Sequence, residues 1–149
     1  MEVFVRGSRS NAQEWASAQK IPLSEIPSLD ENQRAAAKRE NVSEESYARS
    51  AYAGHLSQQR LLRQTMRFGR WLNTKVEERN PGFHVDSVTL DTWEGRFQVV
   101  VLGNGELADF SIDEDLVERL MTTGSAELEK AIGRLLEINL PVQQVARAS

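Results

Sequence analysis

The chain has 149 residues, no cysteine and a formal net charge of -4, with 40% hydrophobic residues. A chain of this size buries roughly 70% of its unfolded surface, so it holds one domain or one domain with an appendage and needs no covalent staple. Disulfides and thiolate metal sites or nucleophiles are excluded, no apolar run approaches the roughly 20 residues of a membrane helix, and MEVFVRGSRS lacks a signal-peptide core, so the expectation is a soluble cytoplasmic protein.

In chain order, Met1–Val5 reads as a short edge strand or a frayed end. Ser10 and Gln13 have capping-box spacing ahead of Trp15, which predicts a helix to about Lys20, stopped by Pro22. The segment IPLSEIPSL, Ile21–Leu29, reads as an extended apolar arm. Asp30 and Gln33 predict a second capping box and a helix to about Glu40, ended by Asn41 in the left-handed region. Ser43 caps a third helix with Glu44 and Glu45 at its positive end, and Gly54 reads as its stop. Leu56 to Arg79 is the longest helix, with Leu62, Thr65, Gly69, Leu72 and Val76 at 3–4 spacing and Leu61, Met66, Phe68 and Trp71 widening the apolar face. Asn80-Pro81-Gly82 ends it.

Val85–Trp93, Phe97–Leu102 and Leu107–Ile112 are rich in β-branched and aromatic residues, with Glu94-Gly95 and Asn104-Gly105 between them. Asn-Gly accepts the positive φ angles of a tight hairpin turn, which predicts a three-stranded antiparallel meander. Asp113 caps a helix carrying Leu116, Val117, Leu120 and Met121, and a last helix carries Leu128, Ala131, Ile132, Leu135 and Leu136 to Pro141. The fold class is therefore α+β: an N-terminal helical arm over 1–55, a core over 56–140 of long helix, three-stranded antiparallel meander and two C-terminal helices, and a flexible tail over 141–149. One face of a single sheet is left for solvent or a partner.

Charge is segregated. Residues 34–79 carry ten basic and five acidic groups, residues 80–149 five and twelve. Arg60, Arg63, Arg67 and Arg70 are spaced 3, 4 and 3 apart, which aligns them on one helix face. Guanidinium forks suit carboxylate or phosphate. The stripe can pair with the acidic cluster Asp113, Glu114, Asp115 and Glu118, meet a protein partner or second copy, or track a phosphate backbone.

Residues 33–54 resemble the repressor-type helix-turn-helix, with Ala37, Asn41 and Tyr47 at its small, turn and apolar positions and Val42-Ser43 at the turn. That resemblance implies a DNA reader, but Glu44 and Glu45 stand where base-reading residues approach phosphates, with Arg49 the sole compensating charge. The reading here is a helical corner in which Ala35, Ala36, Tyr47 and Ala48 pack inward. The helix–meander–helix order also resembles double-stranded-RNA-binding domains, which carry lysines where this chain has SIDEDLVE. VVVLGNGELADFSID resembles the hairpin of small α-β-β-β-α nucleoid-associated proteins, and the core is similar in outline to small acidic secretion chaperones that bind extended segments.

For catalysis, His84 and Asp86 alternate on one strand and so share a face. Glu106 and Asp109 are conjectural further metal ligands, and the expectation is a surface pair without metal or cofactor. No phosphate loop or nucleophile elbow is present. Trp15 and Trp71 are expected as buried anchors, with Trp93 at a hairpin end.

The leading expectation is a non-enzymatic protein-binding adaptor or subunit of a larger assembly, joined to a protein partner or a second copy and not to a membrane. Its candidate contact residues are Ile21, Leu23, Ile26, Leu29, Arg60, Arg63, Arg67, Arg70 and Trp93. The alternative is a nucleic-acid-binding protein using Arg49, Arg60, Arg63, Arg67 and Arg70. A metal-dependent enzyme stands third.

Overall fold

The computed structural model describes residues 1–140; the tail expected over 141–149 lies outside the described residues. The described residues form an α+β fold, with a four-stranded mixed sheet and five α-helices. It divides into two compact units, one made of Met1–Arg6 together with the chain from Leu62, the other of Gly7–Leu61.

The sheet unit is built from β1 (Glu2–Arg6), β2 (Phe83–Asp91), β3 (Arg96–Gly103) and β4 (Glu106–Asp113), in the order β1-β2-β3-β4. The expected meander is present as β2, β3 and β4, but the sheet is neither three-stranded nor wholly antiparallel. The first residues leave the N-terminal arm and add parallel to β2, with Val3 opposite Val88 and Val5 opposite Leu90. A five-residue strand carries little signal of its own. Its partner lies more than eighty residues away, so only tertiary pairing assigns it. Asn104, at φ 51°, and Gly105, at φ 77°, make the predicted β3–β4 turn.

Alternation then sorts the side chains. Phe83, Val85, Val88 and Leu90 of β2, Phe97, Val99 and Val101 of β3, and Phe110 and Ile112 of β4 are all buried on one face. That face is covered by the second part of α3 (Glu44–Arg79), by α4 (Glu114–Thr123) and by α5 (Ala126–Asn139). Phe68 of α3 meets Phe97 with ring centroids 5.0 Å apart. Gly69 lets the helix approach Val88, since a Cβ there would lie 3.3 Å from Val88 Cγ2. Leu72 and Val76 continue the buried row, and Val117, Leu120, Ile132 and Leu136 close it from α4 and α5. At the α3–α5 seam, Lys75 pairs with Glu129 and Arg79 with Glu137 at 3.0 Å. Among the described residues the opposite sheet face is uncovered: Phe4, Gln98, Leu107 and Ser111 are exposed on it.

A β-bulge between Val85 and Ser87 breaks the strict alternation expected for His84 and Asp86. Asp86 is the residue left without a cross-strand partner in this register. The Val85 N–H at this irregularity donates to Asn73 Oδ1 of α3 at 2.8 Å.

In the other unit, α1 (Ala12–Lys20) is capped by Asn11 and not by Ser10. Asn11 Oδ1 accepts from the Glu14 N–H, and Glu14 Oε1 accepts from the Asn11 N–H. Both boxes fit the sequence; Glu14 wins because its carboxylate is also tied to Arg60. α2 (Glu31–Arg39) has the predicted box of Asp30 and Gln33, and Asn41 adopts φ 55°. Gly54 does not stop a helix. α3 runs unbroken for 36 residues, because a mid-helix glycine costs only about 1 kcal/mol and the flanking turns are held from outside. Gly7, Ser8 and Arg9 lie along this stretch. The Arg9 N–H donates to Ser57 Oγ at 2.8 Å, and Gln58 donates to the Gly7 carbonyl at 2.8 Å. The arm Ile21–Leu29 is not simply extended. It contains a 3₁₀ turn, Leu23–Glu25, and inserts Ile26 into the unit's core. At the α2–α3 corner Ala37 and Ala48 are buried, Ala36 and Tyr47 half-buried and Ala35 exposed.

Candidate functional site

The arginine stripe separates into two parts once the helix is formed. Arg60 is consumed internally. Its Nε donates to Glu14 Oε2 at 3.1 Å, and its Nη2 donates to the Arg9 carbonyl at 2.9 Å and to Glu14 Oε1 at 3.3 Å. Arg49 is also internal. Its Nη1 donates to the carbonyls of Ala18, Gln19 and Ile21 at 2.8, 3.2 and 3.0 Å, and Nη2 lies 3.2 Å from Glu45 Oε1. A guanidinium placed on the last carbonyls of α1 satisfies acceptors the helix leaves open and complements its dipole. The Ile21 carbonyl bond also fixes the start of the arm.

Arg63, Arg67 and Arg70 differ. All three are exposed, and no carboxylate of the described residues pairs with them. Their position follows from helix geometry: Leu61, Thr65, Phe68, Leu72 and Val76 form the buried row, and 63, 67 and 70 fall on the opposite side at 100° per residue. Pairing with Asp113–Glu118 does not occur among the described residues. Leu62 and Met66 stand beside the arginines, 40% and 37% exposed. Sequence reading placed both in the core face; they sit one residue off the buried row, which a wheel centred on Phe68 and Leu72 would have revealed. The exposed face of α3 from Leu62 to Arg70 thus joins three guanidinium groups to two apolar side chains.

The other expected contact residues differ in exposure. Ile26 is buried, Ile21 and Leu29 are half-buried, and Leu23 is exposed. Leu23, Ile26 and Leu29 line a shallow groove of about 270 Å³ with Glu44, Glu45 and Ala48. Trp93 is 78% exposed at the β2–β3 turn. That turn is pinned by Asp91 Oδ1, which accepts from the N–H groups of Trp93 and Glu94 at 3.0 and 3.1 Å. Trp15 is 44% exposed, contrary to a buried anchor. Trp71 is half-buried, stacked on Phe68 with Lys75 Nζ 5.7 Å from its ring.

His84 is exposed opposite Leu102. His55 is exposed on α3, with Gln59 Nε2 3.1 Å from its Nε2. Among the described residues no three His, Asp or Glu side chains are grouped to hold a metal ion, and no helix is long and apolar enough to cross a membrane. No family model, curated protein or solved structure matches the chain.

Proposed function

We propose that this chain is a non-enzymatic, cytoplasmic protein-binding subunit, an adaptor or a part of a larger assembly. It engages an acidic protein partner through the outer face of α3. The observation that carries this reading is the exposed cluster of Arg63, Arg67 and Arg70 beside Leu62 and Met66. Arginine and methionine are enriched in protein interfaces, and unpaired guanidinium groups favour bidentate contacts with carboxylates. The reading requires no cofactor.

Nucleic acid is the alternative occupant. It draws on the same guanidinium groups but loses the other two arginines assigned to it. Arg49 is spent on the α1 carbonyls and Arg60 on Glu14. Leu62 and Met66 also gain nothing beside a phosphate backbone.

The test is affinity capture from the native cell with the wild-type chain and with Arg63→Glu plus Arg67→Glu. Proteins retained by the wild type, resistant to nuclease and lost in the double variant, support the reading. Equal retention by both refutes it. A gel shift on duplex DNA or RNA that weakens steeply with salt, and vanishes in the same variant, transfers the surface to nucleic acid.

A further inference from the structure

The edge strand β1 reads Glu2-Val3-Phe4-Val5-Arg6. Among the described residues its sole neighbour in the sheet is β2. The Arg6 carbonyl accepts from the Thr92 N–H at 3.1 Å and from Thr92 Oγ1 at 2.7 Å, so it points toward the β2 side. Backbone groups alternate along a strand, so Glu2 and Phe4 also bond toward β2. The N–H and C=O groups of Val3 and Val5 therefore face the free edge. Val3 and Val5 register with buried Val88 and Leu90, which sets Glu2, Phe4 and Arg6 on the uncovered face of the sheet. Phe4 is 49% exposed there.

We infer that β1 pairs antiparallel with β1 of a second copy of this chain, about a two-fold axis at Phe4. The register follows from two constraints. Antiparallel partners exchange bonds through residues whose backbone groups face each other. Val3 opposite Val5 of the second copy, and the reverse, uses all four free-edge groups of each strand. Charge selects this register among those allowed: Glu2 falls opposite Arg6 at both ends, on the uncovered face. Phe4 then meets Phe4 as a non-hydrogen-bonded pair, where side chains approach most closely and an aromatic pair gains most. The interface is isologous, as a closed dimer requires.

The strand also lacks the usual guards of an exposed edge, having no proline, no lysine and no bulge. β4, at the other edge, carries Glu106, Asp109 and Asp113 and no basic residue, so its self-pairing would gather like charge. A five-residue pairing is a small contact and belongs with weak, concentration-dependent association. This inference uses a different surface from the outer face of α3, and either can fail alone.

The test is sedimentation equilibrium on the whole chain, from micromolar to about 1 mM, the range in which weak dimers dissociate. The wild type is expected to dimerise reversibly. Glu2→Arg and Arg6→Glu should each weaken the dimer about tenfold or more, since both ends then oppose like charges. An equimolar mixture of the two variants should restore association, because each supplies the charges the other lacks. Hydrogen exchange serves as a variant-free readout: the Val3 and Val5 amides should gain protection as wild-type concentration rises. A wild type that stays monomeric, a dimer indifferent to both charge reversals, or Val3 and Val5 amides whose exchange ignores concentration overturns the inference.

Discussion

Arg60 and Glu14, 46 residues apart in sequence, form a two-pronged pair: Nε to Oε2 at 3.1 Å and Nη2 to Oε1 at 3.3 Å. Glu14 serves at the same time as the reciprocal arm of the α1 capping box, and Arg60 also holds the Arg9 carbonyl. One guanidinium thereby ties the start of α1, the loop before it and α3 together. The Glu14 side chain is only 10% exposed and that of Arg60 28%, so the pair is shielded from screening by solvent.

Arg60→Ala is therefore expected to destabilise the protein by about 2–3 kcal/mol, because it takes the two-pronged partner from a nearly buried carboxylate and the donor from the Arg9 carbonyl. Arg60→Lys should recover only part of this, since an ammonium cannot make both prongs. Urea unfolding of the three proteins checks the order; a lysine variant as stable as wild type would refute the two-pronged account.

Arg49 should behave as a C-cap supplied from a distance. Arg49→Ala is expected to cost about 1–2 kcal/mol, with the carbonyls of Ala18, Gln19 and Ile21 losing their shared donor. Hydrogen exchange should accelerate at the end of α1 and in the arm, and much less in the sheet. Uniform acceleration across the chain would show that Arg49 is not acting locally.

Two glycines should respond oppositely to alanine. At Gly54 a Cβ meets nothing nearer than Ser8 Oγ, at 3.7 Å. Gly54→Ala is expected to stabilise by about 0.5–1 kcal/mol, through helix propensity alone. At Gly103 a Cβ would stand 2.5 Å from Phe83 Cγ and 2.6 Å from the Gly82 carbonyl oxygen. Backbone there cannot move aside cheaply, so Gly103→Ala should cost about 1–3 kcal/mol. Thermal melts of the two variants settle both signs.

Lys75 gives a pH signature. Its hydrogen bond to Glu129 holds its pKa above the ordinary 10.5, against a smaller opposing effect of desolvation. A raised lysine pKa means the pair contributes fully below 10.5 and loses its contribution as pH rises through the folded-state value. Glu129→Gln should thus lower stability near neutrality, with the difference from wild type closing above that range. Paired melts across alkaline pH measure it; a difference that persists after lysine deprotonation would assign the effect to packing.

The sequence by itself determined the elements whose signals are local. Asp30 with Gln33 specifies the start of α2 by backbone donors three residues away, Asn41 the left-handed exit, and Asn104-Gly105 the β3–β4 turn. The alternation of Phe97, Val99 and Val101 specifies one buried sheet face. It also determined that Arg63, Arg67 and Arg70 share a helix face, because 3.6-residue periodicity requires no knowledge of neighbours. Tertiary structure alone decided what those faces meet. Asn11 prevails over Ser10 because Arg60 is there to complete Glu14. Gly54 stays helical because Ser57 and Gln58 bind the chain at Gly7 and Arg9. Glu2–Arg6 becomes a strand because β2 offers it an edge, and Arg49 and Arg60 are withdrawn from the surface by acceptors dozens of residues away. Local free energies for these choices differ by about 1 kcal/mol, so a few long-range contacts of similar size are enough to decide them.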